Sequence, residues 1–416
     1  MIVEIIATGS ELLLGDTINT NSSWLGHALN EDGYTVAFQQ TVGDNPARMA
    51  HAFTIAKNRA DIIICTGGLG PTQGDITRQI LADTLHLPMV ENEKAKQLVE
   101  AFFAAHQRSV PTESNREWTL PEGSLALENN RGVAPGVALE AEGKTFILLP
   151  GPPAEMKAVF TDSVQPYLYK RFGSQGVVFS YRYALYQKRE LELENTLRDL
   201  VDSQKNPTIA FLIKNGYIEV RITAKAQSKS EAKELLAPWD VIIRERLGAY
   251  IGRTLDIGME ELLRDSLKGT GKTVATAESC TSGLVGKRLG NLPGSSEYLM
   301  GGIISYSNDC KHRLLAVPQE MLATYGAVSE QVAAAMAEGT RKSVETTYGV
   351  STTGLAGPGG ATADKPLGLV YIGVAGPNGT KVYRNELIGN RESIRQGAAE
   401  RALYFLYKMI EEDKKK

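Results

Sequence analysis

The sequence predicts an α/β protein: two α/β domains with mostly parallel sheets, joined by a small α+β domain. Three observations carry this reading. Short apolar runs alternate with helical stretches through the first segment, residues 1–172. The same alternation returns in the last segment, residues 256–416. Between them, residues 173–255 hold two strand-like runs around Lys214-Asn-Gly216, a favoured hairpin turn. A chain of 416 residues with 42% hydrophobic side chains is ample for cores of this size.

The elements follow in order. Ile2 to Ala7 reads as a buried strand, Asn21 to Asn30 as a helix, and Thr35 to Gln40 as a strand. Ala47 to Lys57 is helical, and Ala60 to Cys65 is a second buried strand. Thr66-Gly-Gly-Leu-Gly-Pro-Thr-Gln-Gly-Asp75 comes next and opens a helix near Ile76 to Leu85. Lys144 to Leu149 is a late strand, ended by Pro150-Gly-Pro-Pro153. In the middle segment, Val177 to Tyr186 is a strand and Glu190 to Val201 an acidic helix. Ile209 to Ile213 and Tyr217 to Ala224 form the hairpin, and Ser228 to Leu247 is a helix with Ser230 as its N-cap. The last segment reads as helix Met259 to Leu267, strand Thr273 to Thr276, helix Ser282 to Leu289 and strand Gly302 to Tyr306. Helix Glu330 to Ser343 follows, then strands Val350 to Thr353, Gly368 to Val374 and Thr380 to Leu387, and helix Glu392 to Ile410.

Composition narrows the function classes. A formal net charge of -3 gives no global basic field for nucleic acid or an anionic membrane. Cys65, Cys280 and Cys310 form no CxxC pair, and the five histidines form no metal-spaced set. No apolar run approaches the roughly 20 residues of a membrane-spanning helix, and Met1 to Ala7 lacks the features of a signal peptide. The expectation is a soluble, cytoplasmic protein.

The chemistry concentrates in Thr276-Ala-Glu-Ser-Cys-Thr-Ser-Gly283 and Ser305-Tyr-Ser-Asn-Asp-Cys-Lys311. Ser279 sits between a strand and a helix, where free N–H groups can hold an oxyanion or a phosphate. A serine there is more often a helix N-cap. With Lys311 and Tyr306 nearby in sequence, the set points to a Ser–Lys hydrolase, with Tyr306 relaying the proton or orienting Lys311. Such a mechanism needs a neutral lysine, and at an ordinary pKa of about 10.4 only about one in a few thousand is neutral at pH 7. A depression of roughly three units, of the size burial produces, would supply the base. Cys280 is the rival nucleophile, or equally a small buried apolar residue. In the first segment, the TGGLGPT loop is neither GxGxxG nor a P-loop, yet it suits a phosphate on backbone N–H groups. Asp75 reads equally as a divalent-ion ligand and as a helix N-cap.

Several of these motifs recur in order in one family. TAESCTSG, Gly294-Ser-Ser296, YSNDCK, Gly326-Ala-Val-Ser-Glu330, GLAGPGG and Lys365-Pro-Leu-Gly368 resemble the C-terminal domain of the CinA family. The resemblance implies nicotinamide mononucleotide amidohydrolase activity without a cofactor. Ser279 would be the nucleophile, with Lys311 and Tyr306 as catalytic partners. Thr281, Gly283, Thr353, Gly357, Gly359 and Arg391 would bind substrate. Gly9-Ser-Glu11 with Asn19-Thr-Asn-Ser22, the glycine loop and Leu149-Pro-Gly-Pro-Pro-Ala-Glu-Met156 resemble the family's N-terminal domain, similar to MoaB-type molybdopterin-binding domains. That likeness implies ADP-ribose pyrophosphatase activity dependent on Mg, Mn or Co, with potassium as an accessory ion. Glu11, Thr66, Gly67, Gly68, Gly70 and Thr72 would hold the nucleotide and Asp75 the metal. Two departures stand out: Gly74 precedes Asp75 where the family shows a second acid, and Tyr186-Gln-Lys-Arg-Glu190 replaces a glycine–acid–serine motif in the KH-like middle domain. That domain also lacks a GXXG loop at Lys214 to Tyr217.

The resulting expectation is a two-headed enzyme of pyridine-nucleotide salvage, working on small nucleotides as a homodimer, without nucleic acid or membrane partners. The alternatives are a first domain that binds a pterin or nucleotide without turnover, and a competence or DNA-damage partner protein.

Overall fold

The computed structural model describes residues 1–415. Its contacts define two compact units: Met1–Phe179 with Lys225–Glu234, and Ser180–Ala224 with Leu235–Lys416.

In the first unit, β1 (Ile2–Thr8), β2 (Thr35–Val42) and β3 (Ile62–Thr66) are parallel. A short separate pair, β4 (Met89–Glu91) and β5 (Thr119–Pro121), lies outside the main sheet. Antiparallel strands β6 (Leu125–Leu127) and β7 (Gly136–Ala141) extend that sheet from β8 (Lys144–Leu149), which is parallel to β3. The order is β2-β1-β3-β8-β7-β6. Alternate β3 residues serve two cores: Ile63 and Cys65 pack with Phe53 and Leu81, whereas Ile62 and Ile64 pack with Leu25 and Phe160. Burial on both faces explains the unbroken apolar run of this strand. Asn19, Asn45 and Asn92 start the flanking helices by accepting the N–H groups of Ser22, Arg48 and Ala95. Each such cap is worth about 1 kcal/mol.

The second unit holds two sheets. In the smaller, β9 (Val177–Leu185), β10 (Thr208–Ile213), β11 (Ile218–Ala226) and β12 (Ile251–Thr254) run in the order β10-β11-β9-β12. The β10–β11 hairpin turns through Lys214-Asn-Gly216 as its sequence predicts, with Lys214 N–H donating to Tyr217 O. The following helix, Lys229–Leu247, is started by Ser228 rather than by Ser230. Ser228 Oγ accepts the Glu231 N–H at 3.2 Å, while the Ser230 hydroxyl turns along the helix toward Glu234.

The larger sheet contains β13 (Val274–Glu278), β14 (Leu299–Ile304), β15 (Tyr348–Gly354), β16 (Leu369–Gly376) and β17 (Gly379–Glu386), ordered β14-β13-β15-β16-β17. The first three are parallel, and β15, β16 and β17 form an antiparallel meander. One face packs on the Arg391–Lys414 helix through Leu403, Phe405 and Leu406, and the other on Leu315, Val332 and Met336. That long helix also carries Glu400, a buried carboxylate. It accepts from Tyr186 Oη at 2.6 Å, Arg253 Nη2 at 3.2 Å and Arg288 Nη2 at 2.6 Å. Tyr186 stacks on Tyr404 with ring centroids 3.9 Å apart. Among the described residues, no helix is long and apolar enough to cross a membrane.

Candidate active site

β13 delivers Ser279 to the edge of the larger sheet, where its N–H donates to Thr352 O at 2.9 Å. The chain then turns sharply. Ser282 N–H returns to Ser279 O, and Ser282 and Gly283 take positive φ values of 50° and 94°. A helix starts at Leu284. Lys311 arrives from the Asn308–Leu315 helix, which Ser307 caps through the Cys310 N–H. This helix places Lys311 one turn after the cap, where the sequence reading had only a lysine following a strand.

Lys311 is 1% exposed. Its Nζ lies 3.1 Å from Ser279 Oγ, 2.8 Å from Ser305 O and 3.2 Å from Tyr306 O. Among the described residues, its partners are these hydroxyl and carbonyl oxygens and no carboxylate. Burial therefore pulls its pKa below the ordinary lysine value, against smaller upward pulls from Cys280 and Cys310. A neutral amine has two N–H donors and one lone pair. The neutral form gives both donors to the carbonyls and turns its lone pair to Ser279 Oγ, whereas the ammonium form donates to all three oxygens.

Cys280, the rival nucleophile, lies deeper than Ser279. Cys280 is 5% exposed, and burial pushes its thiol up to about 12. It is protonated at neutral pH and packs with Val285 and Val350. Tyr306 corrects another expectation. Its phenol does not reach Lys311; its backbone carbonyl does. The phenolic oxygen instead accepts from Arg391 Nη2 at 3.1 Å, and the ring is 58% exposed.

Arg391 Nη1 also donates to Gly357 O at 2.6 Å, so this side chain joins the glycine loop to Tyr306. One helical turn on, Arg395 Nη2 donates to Thr281 O at 3.2 Å, and its buried Nε has no partner. Sequence reasoning missed Arg395, although its spacing of four from Arg391 puts both on one helix face. Thr281 and Thr353 are buried, with hydroxyls committed internally: Thr281 to Glu278 and Thr352, Thr353 to Ala327 O. Gly357 is buried and Gly359 is exposed. Glu278, also missed, lies fully buried immediately before the nucleophile.

In the first unit, Gly67 and Gly68 follow β3 with φ of 109° and 67°, and a side chain at Gly68 would strike Thr77. Gly68, Gly70, Thr72, Asp75, Glu117 and Glu155 line a cavity of about 600 Å³. Buried Arg78 holds the loop from behind, Nη2 donating to Leu69 O at 2.7 Å and Gly70 O at 3.2 Å. Thr66 lies behind the loop, its hydroxyl bound to Pro150 O, and Glu11 is exposed on the Ser10–Leu14 helix. Asp75 is not a helix cap: the helix starts at Thr77, and Asp75 Oδ2 accepts from Thr72 N–H at 2.9 Å. Its Oδ1 has no partner among the described residues. No group of three or more metal-binding side chains occurs among them either. An ion here would rest on Asp75 and on phosphate oxygens of its ligand, the manner in which Mg-type ions are usually held. Glu117, which the sequence reading missed, is 2% exposed with Oε2 unpartnered, and burial lifts its pKa.

Together, the folds define a multidomain α/β protein with a glycine loop beside a cavity in one unit and a Ser–Lys pair in the other. Residues 4–170 match the family described as a probable molybdopterin binding domain, 186–251 the damage-inducible protein CinA KH domain, and 256–410 the CinA C-terminal domain. A putative competence-damage inducible protein of Moorella thermoacetica is 42% identical over 99% of both chains. Its counterpart from Clostridium beijerinckii is 40% identical over 99% of this chain and 100% of that one. The crystal structure of CinA from Thermoplasma acidophilum, titled as having unknown function, aligns with 29% identity and a TM-score of 0.38, covering 40% of this chain and 98% of that one. The chain belongs to the CinA family.

Proposed function

We propose that the C-terminal domain deamidates nicotinamide mononucleotide, giving nicotinate mononucleotide and ammonia. The observation that carries this reading is the contact of Ser279 Oγ with the buried Lys311 amine. Neutral Lys311 takes the Ser279 proton as Oγ bonds to the carboxamide carbon. Collapse of the tetrahedral adduct breaks the C–N bond, and the Lys311 ammonium returns the proton to the departing ammonia. Water, deprotonated by the again neutral Lys311, then attacks the ester. The acid is released and Ser279 regains its proton. Arg391 and Arg395 provide positive charge for the substrate phosphate. The test is ammonia release from nicotinamide mononucleotide. Wild type and Cys280→Ala should both turn over, and Ser279→Ala should not; full activity in Ser279→Ala overturns the mechanism.

For the N-terminal domain, the cavity under the glycine loop supports a second reading, ADP-ribose hydrolysis to AMP with a divalent ion on Asp75. Such an ion, when bound, neutralises charge on the diphosphate. The chain's own part is to present loop N–H groups and the Asp75 carboxylate. Incubation of ADP-ribose with Mg, Mn or Co checks it; binding without AMP would instead make this domain a nucleotide- or pterin-binding module.

A further inference from the structure

Glu278 is 1% exposed and makes four hydrogen bonds, all to the turn that presents the nucleophile. Oε2 accepts from Thr281 Oγ1 at 2.6 Å, Gly283 N at 2.8 Å and Val285 N at 3.1 Å, and Oε1 accepts from Gly286 N at 2.8 Å. The first N–H groups of the helix after Ser279, which the sequence marked for an oxyanion or a phosphate, are therefore occupied by the protein's own carboxylate. The N–H groups of Cys280 and Thr281, next to Ser279, have no acceptor among the described residues. Buried N–H groups without partners are rare in folded proteins. A carboxylate buried this deeply is tolerated because charged hydrogen bonds surround it.

We propose that Glu278 is a positioning residue for hydrolysis. It folds residues 279–286 around one carboxylate, fixes Ser279 Oγ against Lys311, and leaves the Cys280 N–H, next to Ser279, as the oxyanion donor. By filling the helix start, it also keeps the substrate's phosphate out of the turn and directs it to Arg391 and Arg395. This proposal rests on the amidohydrolase reading for its substrate, but not for its geometry.

The test is E278Q in the full chain. An amide keeps the shape but sets an N–H₂ group against backbone donors. Steady-state ammonia release, corrected for folded protein by thermal melting, should show kcat lowered by about 100-fold, the scale of a misplaced reacting group, with KM within about threefold. Phenylmethylsulfonyl fluoride gives a substrate-free readout: it should modify Ser279 in wild type and correspondingly more slowly in E278Q. If wild type is labelled but releases no ammonia, the substrate assignment fails, while slower labelling of E278Q still upholds the positioning role. Labelling and kcat per folded molecule within threefold of wild type would overturn it.

Discussion

The two strand–loop–helix turns of this protein solve the same problem in opposite ways. Each leaves a buried parallel strand, β3 or β13, and each opens a helix. After β13, the helix donors are filled by Glu278, and Ser279 already touches Lys311. After β3, two glycines in left-handed conformation and buried Arg78 hold an open loop over a cavity, with unpartnered carboxylate oxygens on Asp75 and Glu117. The first turn is filled by the chain's own carboxylate; the second borders a cavity and, under the proposed reading, takes its partner from a ligand. A preassembled pair is sensitive to single side chains, whereas a ligand-completed loop is sensitive to ions and backbone shape.

The sharpest way to break this contrast is Lys311→Met. Ammonia release should fall by roughly 10³-fold or more, since members of a catalytic set act as a unit. The same variant should be more stable than wild type. Lys311 has a folded pKa below its unfolded value, so the unfolded chain binds more protons between the two, and stability is lost as pH falls through that window. The gain from Lys311→Met should thus be full below the folded pKa, fade as pH rises through it, and be gone above about 10.4. Equilibrium denaturation across pH reads it, and a destabilised Lys311→Met at pH 7 would contradict the burial argument.

Next in size is Asp75→Asn, expected to lower AMP formation from ADP-ribose by about 100-fold at fixed metal while leaving ammonia release unchanged. Recovery at higher metal concentration would sharpen the ligand-completed picture; no change would remove Asp75 from the site. The pH profile comes third. Under the proposed reaction, kcat/KM for ammonia release should rise with pH and level off past a midpoint below about 10.4, because only neutral Lys311 accepts the proton. A midpoint at or above the ordinary lysine value would show that burial does not tune the base. The smallest effect is expected of Cys280→Ala: activity within about threefold, and a stability loss of about 1 kcal/mol from the vacated core space.

Much of the architecture was legible because its physical signals are local. Short apolar runs marked β1, β3 and β8, unbroken in β3 and carrying Glu4 in β1, and Asn-Gly marked the β10–β11 turn. The Asn308–Leu315 helix was not legible, since its cap and its polar residues look like a loop until Lys311 is seen to point inward. β12 escaped because Ile251–Thr254 is short and only half-buried. At the site, Ser279 and Lys311 could be named from residue type, but their 3.1 Å contact depends on three parallel strands set in register. Glu278 reads as an ordinary acid at a strand end; only the folded turn shows four donors converging on it. Tyr306 was misjudged because sequence names side chains, whereas here a main-chain carbonyl does the holding.

The Glu400 network has a consequence for how the molecule comes apart. Tyr186 and Arg253 belong to the small sheet, Arg288 to the helix after the nucleophile, and Glu400 to the long C-terminal helix. Freeing any one of them strands a charge or hydroxyl in the interior, so local opening of one piece is disfavoured while the others stay folded. The small sheet and the core of the larger sheet should therefore melt as a single calorimetric transition, with amide hydrogens on both sides exchanging at a common rate.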